Sequence, residues 1–347
     1  MTYSATTAAL AFPLLFAFSP APAETISFAP KAGVAITKSF VTTTEMELDD
    51  ADIRMGGEPL PIDGMEMNQK AVQSVTVTDE YGPMTDGRMT KLSRTYDAVS
   101  MESNMDMVMG MQQSIEGSGT SPLEGKTVIF DWNEKDEAYD TKFKEGEDGE
   151  PELLEGVAFG MDLARLLPTD DLKVGGAYDL DPSVLEDLLA PGGNLGVEME
   201  MDGGQGGMPG MDQGQSGDLS HFFQEALDGT ATGKLKEVRE SEGVRLAVIE
   251  LNFDVLAVAD MADAMGDMAG GDLPPGIDIE VDRMEMEMTY VGEGEMLWNL
   301  SAGHIHSVKM EGELSINMDM AMTMNGEMEM TTEIAMAGTA ITEIKTE

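Results

Sequence analysis

Apolar and polar side chains alternate with a period of two along most of the chain, and the alternation is clearest near its C-terminal end. There, methionine occupies every second position of residues 284–288 and again of residues 318–324, with Glu, Asp, Ala or Thr between the methionines. Successive side chains of a strand point to opposite faces of its sheet, so this pattern predicts strands with one thioether face and one polar face. An amphipathic α-helix would need apolar residues spaced near 3.6, which these segments lack.

The same alternation predicts antiparallel strands in both halves of the chain. In the first half they cover residues 34–48, 65–77, a stretch from residue 88, 127–132 and 138–143. In the second half we predict a hairpin of residues 233–238 and 244–253, followed by four strands between residues 277 and 347. Glycine-rich segments mark the turns of that last group near residues 292–294, 301–303 and 325–326.

Helical spacing replaces the alternation in the middle of the chain. Short helices are predicted from the leucines between residues 153 and 167 and over residues 183–190, where Pro182 stands at a favourable first-turn position. Two more are predicted over residues 219–227 and 255–268. We therefore predict a signal peptide over 1–23, an N-terminal β half over 24–150, a short-helix connector over 151–191, a Gly- and Met-rich mobile linker over 192–218, and a C-terminal β half with short helices over 219–347.

The predicted fold class is mainly β. Its strands form one or more long, curved antiparallel sheets, or a partly open barrel or sandwich, with a few short α-helices beside an apolar, methionine-lined interior. The sequence leaves open whether the two β halves form one sheet or two domains.

The composition of the chain limits the classes of molecule that it is expected to bind. With 66 acidic and 20 basic residues among 347, the formal net charge is −46, which disfavours nucleic acids and anionic membrane surfaces as partners. The chain has no cysteine, which excludes disulfides and thiolate metal sites. A hydrophobic small molecule or a component of the cell envelope remains as a partner, and no cofactor is predicted.

The N-terminal residues have the features of an export signal. A short apolar run over residues 8–18 precedes Ala21-Pro22-Ala23, a small-x-small pattern that a signal peptidase reads. Cleavage before Glu24 is therefore predicted, and the product would be periplasmic or extracellular. No later stretch has the roughly 20 consecutive apolar residues of a transmembrane helix, so no transmembrane segment is predicted.

The candidate site residues are the alternating methionines, which we expect to pack inside the sheet first and to line a ligand space second. They are Met105, Met107, Met109, Met284, Met286, Met288, Met318, Met320, Met322 and Met324. Because a curved sheet with helices over one side is a common container for apolar molecules, the sequence favours a noncatalytic exported protein that binds a hydrophobic ligand or has a structural role.

Two alternatives come from other functional classes. Copper(I) prefers soft thioethers, and Met318 and Met320 with His304 and His306 would supply a mixed sulfur and nitrogen site. A hydrolase would need His304 or His306 beside a carboxylate and a hydroxyl, and no nucleophile motif marks such a group. The sequence thus leaves enzyme activity undecided and names no catalytic residue.

Two further motifs are too incomplete to carry a function. Asp148, Gly149 and Glu155 match three places of an EF-hand calcium loop, but Lys144 and Gly146 stand where two carboxylates belong. Residues 125–127 match the end of a phosphate-binding loop, but the first glycine of that loop is missing. We read both segments as polar turns.

Several short motifs resemble a group of uncharacterised, exported, all-β bacterial proteins of planctomycete-like genomes. They are Lys-Leu-Ser-Arg-Thr-Tyr-Asp-Ala-Val-Ser over 91–100, Pro-Leu-Glu-Gly-Lys over 122–126, residues 167–178, residues 292–299 and residues 303–308. In that group an acidic and an aromatic residue follow the valine-glycine step, whereas here Gly176, Ala177 and Tyr178 follow it. The resemblance implies an all-β fold and no catalytic residues.

Overall fold

The computed structural model describes residues 23–60, 64–108, 112–202, 227–262, 279–325 and 328–347. The predicted signal peptide, residue Met109, most of the predicted linker and most of the predicted helix over 219–227 lie outside these ranges. Long strands dominate the rest of the chain.

The described residues form sixteen strands, one α-helix and three short 3-10 helices. The strands are β1 (Ala35–Met55), β2 (Glu58–Pro59), β3 (Glu66–Tyr81), β4 (Met84–Thr85), β5 (Arg88–Met89), β6 (Lys91–Val108), β7 (Gln112–Thr120), β8 (Thr127–Asn133), β9 (Ala138–Phe143), β10 (Ala177–Leu180), β11 (Glu198–Asp202), β12 (Asp228–Ser241), β13 (Val244–Asp260), β14 (Ile279–Asn299), β15 (His304–Met324) and β16 (Met328–Thr346). The helix is α1 (Glu186–Leu189), and the 3-10 helices are Pro151–Leu154, Ala164–Leu166 and Pro182–Leu185.

One antiparallel sheet holds fourteen of these strands. Its order is β10-β12-β13-β14-β15-β16-β1-β3-β6-β7-β11, with β2 beside β1 and with β8 and β9 beside β6. The two β halves meet where β1 pairs with β16, from Lys38 opposite Thr346 to Met55 opposite Met330. The mainly β, antiparallel fold class is confirmed, and among the described strands the sheet is open, with β10 and β11 at its two edges.

The long strands share one continuous apolar face. Directly opposite residues of an antiparallel pair point to the same face, so the strand registers define rows of side chains that cross the sheet. One such row contains Val255, Tyr290, Leu314, Gly338 and Met46. At about 3.3 Å per residue, the 21 residues of β15 extend this face over about 70 Å.

Residues 151–195, here called the cover segment, pack on one end of this face. Their buried leucines, among them Leu163, Leu166, Leu185 and Leu188, belong to the same hydrophobic core as the central strands. Residues 24–31 close the same end, where Trp298 Nε1 donates a hydrogen bond to Ser27 O at 3.3 Å. The sheet therefore has a covered end, at Lys38, Asp79 and Trp298, and an opposite end that carries the alternating methionines.

The prediction of four strands after residue 277 is wrong, because three long strands fill this region and residues 292–294 lie inside β14. Gly292 and Gly312 face each other across β14 and β15, and the Tyr290 ring lies over both. A methyl group at Gly312 would come within 2.5 Å of the Tyr290 ring carbon Cζ. These glycines make room for an aromatic ring and do not form a turn. The turns predicted at 301–303 and at Asn325 are confirmed.

The prediction of a helix over residues 255–268 is wrong for residues 255–260. Residues 255–260 continue β13, with Val255, Ala257 and Ala259 buried against β14 and with Val258 exposed. Alanine and valine at every second position fit a strand here because Tyr290, Met288 and Met286 stand opposite them. Residues 263–268 lie outside the described part of the chain.

The middle of the chain is less helical than predicted. The leucines of residues 153–167 lie in two short 3-10 helices and the irregular chain between them, and only residues 182–189 form a continuous 3-10 and α-helical segment. Residues 177–180 form β10 at one edge of the sheet. Within the predicted mobile linker, residues 198–202 form β11, which pairs with β7.

Candidate functional site

Three rows of side chains, here called the methionine end, lie on the apolar face at the end opposite the cover segment. In order across β14, β15, β16 and β1 they are Met286, Met318, Ile334 and Ala51; Met284, Met320, Thr332 and Ile53; and Val281, Met322, Met330 and Met55. Each row follows from the period-two alternation of its strands and from their antiparallel register.

Most methionines of the methionine end are less buried than Met288, the methionine in the row just inside it. Met288, in the row just inside the methionine end, is fully buried, and Met284 is 8% exposed. Met286, Met318 and Met320 are half-buried, as is Met322. Thioethers therefore lie partly open to solvent on a face whose other end is closed.

The predicted methionines of the first half lie on the same face, across the sheet from the others. Met105 and Met107 are half-buried on β6, and Met107 stands opposite Met67 of β3. Four strand spacings separate β6 from β15, which corresponds to about 19 Å. Met109 lies outside the described residues, and nothing is described of the Met324 side chain. The structure thus brings Met284, Met286, Met318, Met320 and Met322 together and places Met105 and Met107 apart from them.

The histidines of the copper alternative lie at the opposite end of β15 from its methionines. The 14 residue steps from His304 to Met318 along one strand span about 46 Å. One ion therefore cannot contact His304, His306, Met318 and Met320 together. The extended conformation of β15 corrects the prediction of a four-residue copper site. Among the described residues, no group of three His, Asp or Glu side chains is placed to hold a metal ion.

His304 lines a cavity of about 370 Å³ at the covered end, with Lys31, Asn299 and Ser301 among its neighbours. None of the lining residues carries a carboxylate. The Nδ1 atom of His304 lies 2.6 Å from the carbonyl oxygen of Ile305, and burial lowers the pKa of His304. His306 is exposed. The carboxylate, histidine and hydroxyl arrangement that a hydrolase needs is not assembled in this cavity.

A buried charge cluster fastens the cover segment to the sheet. Lys38 Nζ lies 2.5 Å from Asp79 Oδ2, and all side-chain atoms of both residues are inaccessible to solvent. Arg94 donates two hydrogen bonds to Asp79, of 2.8 Å from Nε and 3.0 Å from Nη2. Lys38 also donates to Tyr81 Oη at 3.1 Å and to the carbonyl oxygen of Met161 in the cover segment at 2.8 Å.

Arg94 extends the same cluster to two further carbonyl groups of the cover segment. Its Nη1 donates to Ala158 O at 3.1 Å, and its Nη2 donates to Phe159 O at 3.2 Å. The guanidinium group also lies 5.3 Å from the centre of the Phe130 ring. Three carbonyl groups of the cover segment thus accept hydrogen bonds from Lys38 and Arg94. A single carboxylate, that of Asp79, holds both cations in place.

The protonation states of this cluster follow from burial and from the neighbouring charges. Burial alone would raise the pKa of Asp79, but the charges and hydrogen bonds of Arg94 and Lys38 outweigh it and lower this pKa to about 2. Burial lowers the pKa of Lys38 against the opposing effect of Asp79. Burial raises the pKa of Asp162, whose Oδ2 atom has no hydrogen-bond partner among the described residues.

Sequence reasoning did not identify this cluster, although its signal is present. Lys38, Asp79 and Arg94 occupy core-facing positions of β1, β3 and β6, and each lies two residues from a buried apolar side chain. Charges of both signs at apolar positions of three adjacent strands indicate a buried ion cluster.

Comparisons with known proteins do not assign the chain to a family. No protein-family model matches the sequence, and no curated protein matches it. Among solved structures, OccK7 (OpdD) of Pseudomonas aeruginosa matches with a TM-score of 0.14 and 8% sequence identity, over 89% of this chain and 99% of that chain. A likeness at that level carries no argument about fold or function. The resemblance of the short motifs to exported all-β proteins stays a prediction.

Proposed function

We propose that this protein is a noncatalytic, exported binding protein that holds an elongated hydrophobic molecule, such as a lipid acyl chain, against the methionine end. The observation that carries the proposal is the set of half-buried thioethers of Met286, Met318, Met320 and Met322 on one continuous apolar face. Large apolar surfaces left partly open on a folded protein commonly mark a binding site.

Methionine suits such a surface for a physical reason. Its unbranched side chain has three rotatable bonds and a polarisable sulfur, so it adapts to ligands of irregular or variable shape. Small residues lie beside the thioethers, with Ala259 opposite Met286 on β13 and Ala51 opposite Ile334 on β1. The row therefore places Met286, Met318 and Ile334 between two alanines, which leaves space beside these longer side chains.

Cleavage before Glu24 is compatible with the contacts that this residue makes with the rest of the protein. Glu24, the first residue after the predicted cleavage site, exchanges backbone hydrogen bonds of 2.7 and 3.0 Å with Leu172. Its carboxylate lies 3.0 Å from Arg245 of β13. A chain that starts at Glu24 would thus keep every contact described here. N-terminal sequencing of protein purified from its host should begin at Glu24, and a chain that retains residues 1–23 would contradict the proposal.

Ligand binding is tested with a fluorescent fatty acid added to the purified mature protein. The triple substitution Met286→Gln, Met318→Gln and Met320→Gln keeps side-chain length but makes the surface polar, so the fluorescence enhancement should be lost. Glu285→Gln, an exposed position on the opposite face of β14, is the matched control and should bind like the parent protein. Equal binding by the triple variant, or no binding by the parent, would leave only a structural role in the envelope.

A further inference from the structure

The outermost row of the methionine end brings three thioethers from three strands side by side. Met330 of β16 stands opposite Met322 of β15 on one side and opposite Met55 of β1 on the other. The backbone amide of Gly56 donates a hydrogen bond of 2.8 Å to Glu329 O, which fixes the position of Met55 against Met330. All three methionines are half-buried, so each residue is partly open to solvent.

From this juxtaposition we propose that Met55, Met322 and Met330 form a binding site for a soft monovalent metal ion, copper(I), with three thioether ligands. This site shares Met322 with the surface proposed for the hydrophobic ligand, but metal binding is measured without that ligand. Soft ligands such as thioethers select copper(I) over harder ions. Met330 stands between Met322 and Met55 in one row, so all three side chains start from neighbouring strands.

The row has the reach that such a site requires. Side chains directly opposite each other in an antiparallel pair have Cβ atoms about 4.5–5.5 Å apart. Each methionine side chain has three rotatable bonds, so the outer sulfurs of Met55 and Met322 can turn toward the sulfur of Met330. Met320 and Ile53 of the next row flank the site, with Thr332 between them.

The chemistry of the whole chain favours this ion over its competitors. The chain has no cysteine and three histidines, two of which lie at the far end of β15. A formal net charge of −46 raises the local concentration of cations around the sheet. Thioethers do not take up protons between about pH 5 and about pH 8, so affinity should not depend on pH there, whereas a histidine site would weaken as its imidazole became protonated.

The test uses silver(I), an air-stable probe for copper(I), titrated into the full mature chain and followed by native mass spectrometry. We expect one tightly held ion per chain, with equal affinity at about pH 5.5 and about pH 7.5. Met330→Leu removes the central ligand and should weaken binding about tenfold or more, since even changes outside the ligand shell of a metal site cost about 10–100-fold. Met105→Leu, a half-buried methionine on the same face with no methionine opposite it, is the control.

Leucine keeps this position apolar, and the urea midpoint of Met330→Leu, compared with that of Met105→Leu, shows whether the fold is retained. Loss of silver binding in a folded Met330→Leu, with silver binding retained in Met105→Leu, would support the metal site, whatever the fate of the hydrophobic ligand. The metal site would be excluded by silver binding that Met330→Leu leaves unchanged, by equal losses in Met330→Leu and Met105→Leu, or by the absence of a stoichiometric complex in the parent protein.

Discussion

The two ends of the apolar face belong to the same strands, yet they are completed in different ways. At the covered end, Lys38 and Arg94 bind carbonyl groups of the cover segment, and the surrounding side chains are buried. At the methionine end, the described side chains are mostly half-buried, and thioethers replace the leucines and aromatic rings of the core.

The difference shows how one alternating pattern can serve two purposes. The covered end needs a unique geometry, because Asp79 must hold two buried cations in place. Each buried charge left without its counter-charge would destabilise the folded protein. The methionine end needs an adaptable surface, which flexible and polarisable side chains provide. Stability should therefore depend on the covered end, and ligand binding on the methionine end.

The largest effect is expected from Asp79→Asn, which leaves Lys38 and Arg94 buried without their counter-charge. Removing one partner of a buried ion cluster costs about 3–5 kcal/mol, and urea denaturation should show a loss of that size. Asp319→Asn, which breaks the exposed pair with Arg283 near the methionine end, should change the free energy of unfolding little. Equal losses in both variants would contradict the assignment of stability to the covered end.

The next prediction compares the effects of substituting two methionines of the same face. Met288→Ala empties a fully buried position and should cost about 2–5 kcal/mol, as other methionine-to-alanine changes in cores do. Met322→Ala, at a half-buried position, should cost clearly less because its side chain buries less area and leaves no closed cavity. Denaturant midpoints of the two variants give the comparison, and a larger loss for Met322→Ala would show that the methionine end is itself a packed core.

The pH dependence of stability should reveal Asp187 of α1. Burial raises its pKa to about 7 in spite of Arg165. The folded protein therefore binds a proton more tightly than the unfolded chain does, whose carboxyl pKa is about 3.9. Between these values stability increases as the pH falls, by up to about 1.4 kcal/mol per pH unit, and this contribution is lost as the pH rises through about 7.

Asp187→Asn removes this titration, and urea denaturation between about pH 5 and about pH 6.5 measures it. On acidification the parent protein should gain more stability than the variant, because only the parent takes up a proton at Asp187. Relief of repulsion among the other carboxylates is common to both proteins and cancels in the comparison. Parallel curves for the two proteins would contradict a raised pKa for Asp187.

A smaller effect is expected at Gly312, which lies under the Tyr290 ring between the two ends. Gly312→Ala forces the ring to move and should cost about 1–3 kcal/mol, as overpacking usually does. In a Tyr290→Leu background the same substitution should cost much less, because the ring is gone. An equal cost in both backgrounds would show that the glycine is needed for another reason.

Most of the strands could be predicted from the sequence, because the period of two is a local signal. The limits of β8 and β9 come within one residue of the prediction, since polar turn residues bracket two short alternating runs. The glycines at 292 and 294 were misleading for a physical reason. Glycine marks a turn in most alternating patterns, but Gly292 instead makes room for a tyrosine that only the folded sheet brings over it.

The candidate site could be predicted only in part. Alternation placed the methionines on one face, but it gave no register, so the pairing of Met330 with both Met322 and Met55 required the structure. The distance of about 46 Å between His304 and Met318 likewise depends on β15 being extended without interruption from His304 to Met324. Burial of Lys38 depends on a cover segment more than 100 residues away in sequence.

The most direct test of the difference between the two ends is the rate at which hydrogen peroxide oxidises individual methionines, measured by peptide mass spectrometry. Met318, Met320 and Met322 should oxidise quickly in the ligand-free protein and become protected when oleate is bound, because their sulfurs lie at the half-open end. Met161, Met296 and Met310, all buried at the covered end, should stay reduced in both states. Equal oxidation rates at the two ends, or a methionine end protected without ligand, would contradict the proposed open binding surface.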